Sequence, residues 1–309
     1  MLRKKLEKQI SYLLSRAGRF SYYSRIRALG FYKERRIRLS AAEKWKLIFG
    51  SRSEVIFPFI DIDITTYCNL RCKRCAKCIP YFEHRKHYTA EEIEQNLDLL
   101  TRYTDRICFA NIIGGEPLLN PDLKRIIAVC AANKKIEHLE LTTNATIMPD
   151  DDVLKAIKDG AVTVHISEYE NLGPRYEERL KALVEKLEEF EIPYEYQFHK
   201  IWLDFGEIEK RRYTEKELDR MLIRCPMNSC TVYNNKVLYR CGKASYLAQH
   251  GMVTSEDDLI RMEDISSKAE MRKAVKRFFS IKHLPACQYC EAHPKGIPAA
   301  EQLEKDNDL

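Results

Sequence analysis

The chain has 309 residues, enough to bury a large core without the help of disulfide bonds. Its 45% hydrophobic and 32% charged content is ordinary for a globular protein and excludes a disordered one. The net charge of +6 is unevenly spread, because residues 1–52 hold fifteen Lys and Arg against three acidic residues. These residues, the basic leader, have a net charge of +12, and the rest of the chain, the body, has a net charge of −6.

Residues 1–54 form the first predicted unit, a basic helical extension. Leu6, Ile10, Leu13 and Leu14 lie on one stripe of a helix, which we expect to pack on the body with its charges in solvent. The segment also holds residues of core size, namely Phe20, Tyr22, Tyr23, Ile26, Phe31, Trp45, Leu47, Ile48 and Phe49. The charge also suits an arm that contacts phosphates, an acidic partner or, peripherally, a membrane surface, but it is weak evidence for nucleic acid.

Strand and helix patterns alternate from residue 55 to residue 224. Thr89 with Glu92 predicts a capping box, and Asn120 is expected to cap a helix that starts at Pro121. Strands are predicted at 55–65, 106–113, 138–142, 161–167 and 194–202, and helices at 89–103, 120–132, 150–158, 174–190 and 214–224. Such β-then-α units imply an α/β fold with a parallel sheet, doubly wound or curved towards a barrel. Chemistry in these folds gathers at the carboxyl ends of the strands.

Residues 225–309 form the last predicted unit, which is small and rich in cysteine. Residues 231–240 predict a hairpin that turns at Asn234-Asn235, and the irregular end of the chain holds Cys287 and Cys290. No low-complexity linker precedes this unit, so the boundary near residue 224 marks a change of architecture.

The expected location is the cytoplasm. No apolar run approaches the roughly 20 residues that cross a bilayer, and the opening residues MLRKKLEKQ lack the apolar core of a secretory signal. Eleven cysteines are there expected to be metal ligands, reactive groups or packing residues rather than disulfides. Cys108, in a strand, and Cys130, in a helix, are interpreted as packing thiols.

Cys68, Cys72 and Cys75 follow the first predicted strand at spacings of three and two residues. Thiolates are the ligands of iron–sulfur clusters, and three of them leave one iron of a cubane open to a small molecule. A zinc site with Cys78 as its fourth ligand is the alternative. The motif resembles the radical S-adenosylmethionine (radical SAM) family, whose members open with Cys-x3-Cys-x2-Cys after the first strand.

The resemblance extends to Gly114-Gly115-Glu116-Pro117, which follows the second strand. It implies that these residues bind the methionine amino group of SAM: the glycines admit the ligand close to the backbone, and Glu116 accepts from the amine. It also places Asn144 and Ser167, at the ends of the third and fourth strands, near SAM, although each could equally be a strand-end cap. Members often have an aromatic residue before the third cysteine, where this chain has Arg74.

A second group comprises Cys225, Cys230, Cys241, Cys287 and Cys290. It resembles the twitch subdomain of some radical SAM enzymes, which holds one auxiliary [4Fe-4S] cluster. The longer SPASM relative carries seven cysteines and two clusters, more than this chain can supply. The resemblance implies ligands at Cys225, Cys241, Cys287 and Cys290, since Cys225 and Cys241 have close to the family spacing. Cys230 in place of Cys225, and a structural zinc, remain alternatives.

The resemblance implies a partial (β/α)6 radical SAM barrel and one-electron chemistry. A reduced cluster cleaves SAM to methionine and a 5′-deoxyadenosyl radical, which takes a hydrogen atom from the substrate; flavodoxin or ferredoxin is the expected electron donor. An auxiliary cluster suits an oxidation (dehydrogenation) of a small, sugar-like or phosphorylated substrate, including a nucleotide- or lipid-linked one. That reaction needs a base. Near the strand ends stand Glu168, Tyr169, His199 and Asp204, none of which the sequence distinguishes, so no catalytic residue is assigned.

Three other functions remain open at this stage. A peptide-modifying maturase has little support, because residues 1–54 are shorter than a peptide-recognition domain and look helical. An RNA-modifying radical enzyme would use the basic leader and bind in a salt-sensitive way. A non-catalytic zinc protein would use both cysteine sets structurally but gives Gly114-Gly115-Glu116-Pro117 no role.

Overall fold

The computed structural model describes residues 20–170, 172–228, 230–253 and 255–303. The predicted stripe from Leu6 to Leu14 lies outside these residues. Within them, no helix is long and apolar enough to cross a membrane.

Among the described residues, one sheet of nine strands forms the centre of the fold. Its strands are β1 (Ile56–Phe57), β2 (Ile60–Asp63), β3 (Arg106–Ile113), β4 (Ile136–Thr143), β5 (Thr163–Tyr169), β6 (Tyr194–His199), β8 (Val232–Asn234), β9 (Val237–Tyr239) and β10 (Leu259–Arg261). They lie in the order β10-β9-β8-β2-β3-β4-β5-β6, with β1 paired to β3. Strands β2 to β6 are parallel to their neighbours, and β8 joins β2 in parallel while β9 and β10 run antiparallel. A separate pair joins β7 (Ile201–Leu203) to β11 (Gly296–Pro298).

Helices alternate with the strands of this sheet. They are α1 (Phe20–Glu34), α2 (Ala41–Phe49), α3 (Ala90–Arg102), α4 (Leu123–Ala132), α5 (Asp151–Asp159), α6 (Pro174–Glu189), α7 (Glu215–Arg224), α8 (Gly242–Gln249) and α9 (Lys268–Ser280). The predicted α/β class, a partial barrel of parallel strands with helices, is confirmed. The sixth parallel strand is β8, which lies beside β2 rather than beyond β6. The hairpin predicted at 231–240 extends the main sheet as β8 and β9, but it turns at Asn235-Lys236, both with positive φ, and not at Asn234-Asn235, because Asn234 still pairs with Val237.

The period of two in β2 separates a core face from a polar face. Ile60, Ile62 and Ile64 are buried in the main core with the inner side chains of α3, Ile93 and Leu97. The alternate residues point to the other face of the sheet. That face carries Asp61, Asn111, Thr142 and Ser167, so the concave side of the sheet is polar.

Three predicted elements differ from the structure. Pro58 has no N–H to donate, and the strand expected at 55–65 divides there into β1 and β2. Asn120 does not begin α4: its amide donates to the carbonyls of Ile64 and Tyr88 at 2.7 and 3.0 Å, and the helix starts at Leu123. The strand expected at 194–202 breaks at Lys200 into β6 and β7, which pair in different sheets.

The N-terminal extension is helical where it is described, but part of its apolar content is not core. Tyr23 and Leu47 are buried, as expected. Trp45, Ile48 and Phe49 were expected in the core and are exposed, because α2 has only one side against the body.

Candidate cofactor-binding site

A cavity of about 240 Å³ lies at the carboxyl ends of the parallel strands. Its walls include most of the residues that the resemblance implicates, namely Cys68, Cys72, Cys75, Gly114, Gly115, Asn144 and Ser167. The other lining residues include Asp61, Lys77, Tyr169, Trp202 and Met227. The two motifs and both strand-end residues are therefore brought to one place.

The three thiols of the first motif lie in the loop between β2 and α3. Burial raises the pKa of Cys68 and of Cys72 to about 12, and the neighbouring thiols add to both shifts through their charge. Several donors point at these sulfurs: Leu70 N–H at 3.4 Å and the Asn144 amide at 3.7 Å to Cys68, and the Gln302 amide at 3.3 Å to Cys72. One buried and two half-buried thiols, two of them with N–H donors, fit a group that takes thiolate ligands, such as an iron–sulfur cluster.

Gly114 and Gly115 fasten the cysteine loop to the end of β3. Two backbone hydrogen bonds join these segments. Gly115 N–H donates to Thr65 O and Glu116 N–H donates to Tyr67 O, both at 2.8 Å. A Cβ on Gly114 would lie 2.2 Å from Thr65 O, and one on Gly115 would lie 2.0 Å from Tyr67 O. Gly114 also has a φ of +153°. The glycines are thus required by the approach of the chain's own backbone, a reason that the resemblance did not supply.

Glu116 is fully buried, and its carboxylate is occupied by donors from the chain. It accepts from Thr143 Oγ1 at 2.8 Å, Leu118 N–H at 3.1 Å and Asn144 N–H at 2.7 Å. Burial raises the pKa of this carboxyl to about 7, while the three donors act in the opposite direction. Glu116 therefore joins the end of β3 to the end of β4, and Pro117 continues from it as the first residue of a short 3₁₀ helix, Pro117–Leu119. Contact of Glu116 with an amine of SAM stays a prediction.

Asn144 and Ser167 both face the cavity, but in different ways. The Asn144 amide also donates to Asn69 Oδ1 at 3.1 Å, so Asn144 ties the end of β4 to the cysteine loop. Ser167 accepts with its carbonyl from Tyr176 OH at 2.9 Å, which fixes the end of β5 against α6. A role for either in holding SAM stays a prediction.

A chain of polar groups crosses the concave face and was missed in the sequence. Thr142 Oγ1 donates to Asn111 Oδ1 at 2.9 Å, and the Asn111 amide donates to Asp61 Oδ1 at 2.8 Å. Lys77 Nζ lies 3.4 Å from Asp61 Oδ2 and 2.6 Å from Asp63 Oδ1. Two aspartates alternating with isoleucine in a buried strand were the available signal, since a buried carboxylate needs a partner.

The four possible bases are not equivalent in the structure. Tyr169 lines the cavity, where its ring lies 5.6 Å from that of Trp202 and 5.9 Å from that of His199. Asp204 forms an ion pair with Arg74 at 2.8 Å. Arg74, at the position where an aromatic residue was expected, thus holds the 204–207 segment, in which Glu207 also binds it. Asp61 is the one carboxylate among the described residues that line the cavity.

The second cysteine set gathers beside α8. Cys241 is the N-cap of α8, and Cys287 and Cys290 fall within and directly after a 3₁₀ helix, Pro285–Tyr289. Burial and then the charges of Cys290, Cys225 and Cys287 raise the pKa of Cys241, so the four predicted ligands are neighbours. In the described part of the chain, no three His, Cys, Asp or Glu side chains converge as closely as one metal ion requires.

Two further cysteines lie between the two sets. Burial, and then the charges of Asp61 and Cys225, raise the pKa of Cys230 to about 12. Cys78 is buried, and burial raises the pKa of its thiol to about 12. The charge of Lys243 lowers this pKa, and the charges of Cys75 and Cys290 raise it. Selection of Cys225 over Cys230, and the exclusion of Cys78, stay predictions.

The end of the described chain clamps the first cysteine loop, which no local pattern indicated. Cys72 and Gln302 form an antiparallel bridge. Lys73 N–H donates to Glu301 O at 2.6 Å, and Leu303 N–H donates to Arg71 O at 2.8 Å. The two cysteine sets are therefore joined along the chain by the short segment from Cys290 to Gln302.

Comparison with known proteins gives one family and several distant relatives. A family model described as the Radical SAM superfamily matches residues 62–182. The GTP 3′,8-cyclase of Listeria monocytogenes serotype 4b is 32% identical over 131 residues, which cover 41% of this chain and 37% of that relative. The chain thus spans well under half of the relative it matches.

Two solved structures are also similar to this chain. Native anSMEcpe with bound AdoMet aligns with a TM-score of 0.48 and 14% identity, covering 72% of this chain and 82% of that one. BtrN in complex with AdoMet and 2-DOIA aligns with a TM-score of 0.46 and 12% identity, covering 77% of this chain and 94% of that one.

Proposed function

Residues 62–182 belong to the radical SAM superfamily, and from this premise we propose that the protein is a SAM-cleaving enzyme that oxidises a small hydroxyl- or amine-bearing substrate. The observation that carries the proposal is the single cavity lined by Cys68, Cys72, Cys75 and the glycine pair. Cys68, Cys72 and Cys75 would hold a [4Fe-4S] cluster there, which together with SAM would supply the radical chemistry that removes a hydrogen atom from a substrate.

The chain's own contribution at the first site is to hold the cysteine loop. The strap from Gly115 and Glu116 to Thr65 and Tyr67 fixes its beginning, and the clamp by Gln302 fixes its middle. Lys77 fixes its end through Asp61 and Asp63. A loop held at three points keeps three thiols in one arrangement, which lowers the conformational cost of binding a cluster.

The charge of the cavity supports a substrate without phosphate groups. Lys77 is the one cation among the described residues that line it, and it is already paired with two aspartates. The lining therefore carries no cation to offset the charge of a phosphate. The basic leader, on which the expectation of a phosphorylated substrate was based, includes none of the described lining residues. Hydroxyl and amino groups fit Asp61 and its hydrogen-bonded neighbours better.

Asp61 is the base that we propose for the oxidation. Conversion of an alcohol to a ketone or aldehyde removes a hydrogen atom from carbon, a proton from the hydroxyl and one electron. Asp61 lines the cavity and can take the proton, with Asn111 and Lys77 holding the carboxylate in place. Cys225, Cys241, Cys287 and Cys290 would hold a second cluster that would accept this electron, and an external donor such as flavodoxin or ferredoxin would deliver an electron to the first cluster.

A redox-neutral rearrangement is the second candidate. The relatives named GTP 3′,8-cyclase favour it, because that name describes a cyclisation rather than an oxidation. A rearrangement would need no electron acceptor, so the second cysteine set would then have a structural role only. The lack of an unpaired cation among the described lining residues speaks against a triphosphate in the cavity.

The proposal is tested by the release of 5′-deoxyadenosine from SAM after anaerobic reconstitution with iron and sulfide and chemical reduction. We expect release by the wild type, none by Cys72→Ala, and release by the control Cys130→Ala, whose thiol is buried in α4. Release that persists in Cys72→Ala would contradict the first site. With a substrate in hand, product lighter by two hydrogens supports oxidation, and an isomer supports rearrangement.

A further inference from the structure

Helix α2 presents large apolar side chains to solvent. Trp45, Ile48 and Phe49 are 67%, 39% and 62% exposed, and the rings of Trp45 and Phe49 lie 4.3 Å apart. At about 100° per residue these three side chains share one face of the helix. Tryptophan and phenylalanine held together at the surface are costly in water unless something covers them.

The opposite side of α2 is fixed to the protein. Leu47 is fully buried in a cluster with Tyr32, Ile56 and Phe109. The buried guanidinium of Arg25 donates to the carbonyls of Leu47 and Ser51, the latter at 2.7 Å. Since these contacts hold the helix by its inner side, rotation cannot bring the outer face into the core.

Basic side chains stand on both flanks of the exposed face. Lys44 and Lys46 are exposed and lie about 100° from Trp45 to either side of it along the helix surface. Arg36 and Arg38, in the connection from α1, are exposed as well. Earlier in the sequence, residues 1–19 hold six Lys and Arg against one acidic residue. An apolar face with aromatic residues and flanking lysines has the composition of a helix that lies in a membrane interface.

We propose that α2 docks the protein on an anionic phospholipid surface. Trp45, Ile48 and Phe49 enter the boundary between headgroups and acyl chains, and Lys44 and Lys46 reach the lipid phosphates. Each basic residue near such a surface adds to the attraction, and the apolar side chains add a contribution that salt does not screen. This inference is independent of the cofactor site.

Other occupants fit the same face less well. Three side chains bury far less than the roughly 800 Å² per partner of a stable dimer, and two copies would bring Lys44 and Lys46 of one against those of the other. Residues 1–19 are themselves basic, so packing them on this face would add like charges to those of Lys44 and Lys46. RNA would use the lysines but gives no role to Ile48.

The test is flotation of the full chain with vesicles of phosphatidylcholine alone or mixed with phosphatidylglycerol. We expect binding to the mixed vesicles, and a loss of about tenfold or more in Trp45→Ser/Phe49→Ser. The matched control, Phe198→Ser/Ile201→Ser, removes two apolar side chains that are 58% and 63% exposed and should bind like the wild type. Lys44→Gln/Lys46→Gln should weaken binding and reduce its dependence on phosphatidylglycerol.

Tryptophan fluorescence distinguishes the three possible covers of the exposed α2 face, namely lipid, residues 1–19 and a second copy of the chain. The chain has two tryptophans, so Trp202→Phe leaves Trp45 as the reporter. We expect acrylamide to quench Trp45 in the free protein, and mixed vesicles to shift its emission to the blue and shield it. Three results would overturn the proposal. Trp45 could be shielded from acrylamide without vesicles, as cover by residues 1–19 or by a second copy requires. The α2 and control variants could bind vesicles equally well, or the protein could bind RNA and not vesicles.

Discussion

Replacement of Gly115 by alanine is the sharpest test of how the cysteine loop is held. The new Cβ would lie 2.0 Å from Tyr67 O and 2.5 Å from Tyr67 C, both backbone atoms, so the two segments must separate by about an ångström or more. Separation weakens two hydrogen bonds of 2.8 Å, from Gly115 N–H to Thr65 O and from Glu116 N–H to Tyr67 O.

The cost follows from these contacts. Two hydrogen bonds contribute about 1 kcal/mol each, and overpacking against backbone adds about 1–3 kcal/mol, so we expect a loss of about 3–5 kcal/mol in the free energy of unfolding. With an unfolding entropy of about 2.1 cal/mol/K per residue, this lowers the melting temperature of a 309-residue chain by about 5–8 °C. Iron uptake should fall with it, because the same strap positions Cys68.

The assay is thermal unfolding followed by circular dichroism, with iron content measured after reconstitution. Gly30→Ala is the matched control, because nothing lies within 4 Å of a Cβ at this position in α1. It should stabilise the protein by about 0.5–1 kcal/mol. A Gly115→Ala protein that melts within a degree of the wild type would refute the reasoning.

Three other substitutions probe separate parts of the account. Gln302→Leu removes the N–H donor to Cys72 and an acceptor for Arg71 N–H. We expect the free energy of unfolding to fall by about 1–2 kcal/mol and the midpoint potential of the first cluster to be lower in a redox titration followed by electron paramagnetic resonance. An unchanged potential would show that this hydrogen bond does not act on the cluster. Burial raises the pKa of Asp258 to about 7, so the folded chain retains a proton that the unfolded chain releases near pH 4. The free energy of unfolding should therefore fall by up to about 4 kcal/mol as the pH rises from about 4 to about 7. Because the pKa of Glu116 is raised likewise and adds a fall of its own as the pH rises, Asp258→Asn should reduce the fall between pH 5 and pH 7.5 in urea unfolding without removing it, and an equal fall in both proteins would contradict the prediction. Leu47→Ala should cost about 2–5 kcal/mol, while the exposed Ile48→Ala should leave urea unfolding unchanged, and equal effects would show that the orientation of α2 is wrong.

Local signals were enough to predict much of the fold. The Thr89–Glu92 capping box opens α3 as expected, because its two hydrogen bonds form between residues three apart. The parallel sheet follows from alternating β and α patterns, whose periods are set by backbone geometry. Pro58, Asn120 and Lys200 were misread. The proline interrupts pairing, the Asn120 amide donates to two carbonyls that only the tertiary fold brings near it, and the strand divides at Lys200 because its two halves pair in different sheets.

Several of the residues singled out in the sequence line one cavity, while their roles as ligands of a cluster or of SAM stay predictions. The three cysteines and the glycine pair of the second motif line this cavity, whereas Glu116 is buried behind it. The strap between Gly115 and Tyr67, the three donors to Glu116 and the clamp by Gln302 depend on contacts between distant parts of the chain, so no local pattern reveals them. The exposed face of α2 was missed for a related reason, since apolar composition alone does not say which side of a helix meets the body.

The two cysteine sets are the centre of the account, and iron counting tests them most directly. After anaerobic reconstitution, the wild type should hold about eight iron atoms per chain and Cys287→Ala/Cys290→Ala about four, with 5′-deoxyadenosine still released from SAM by the variant. If the wild type holds only about four iron atoms and the variant matches it, the second set binds no cluster, and the proposed oxidation loses its electron acceptor.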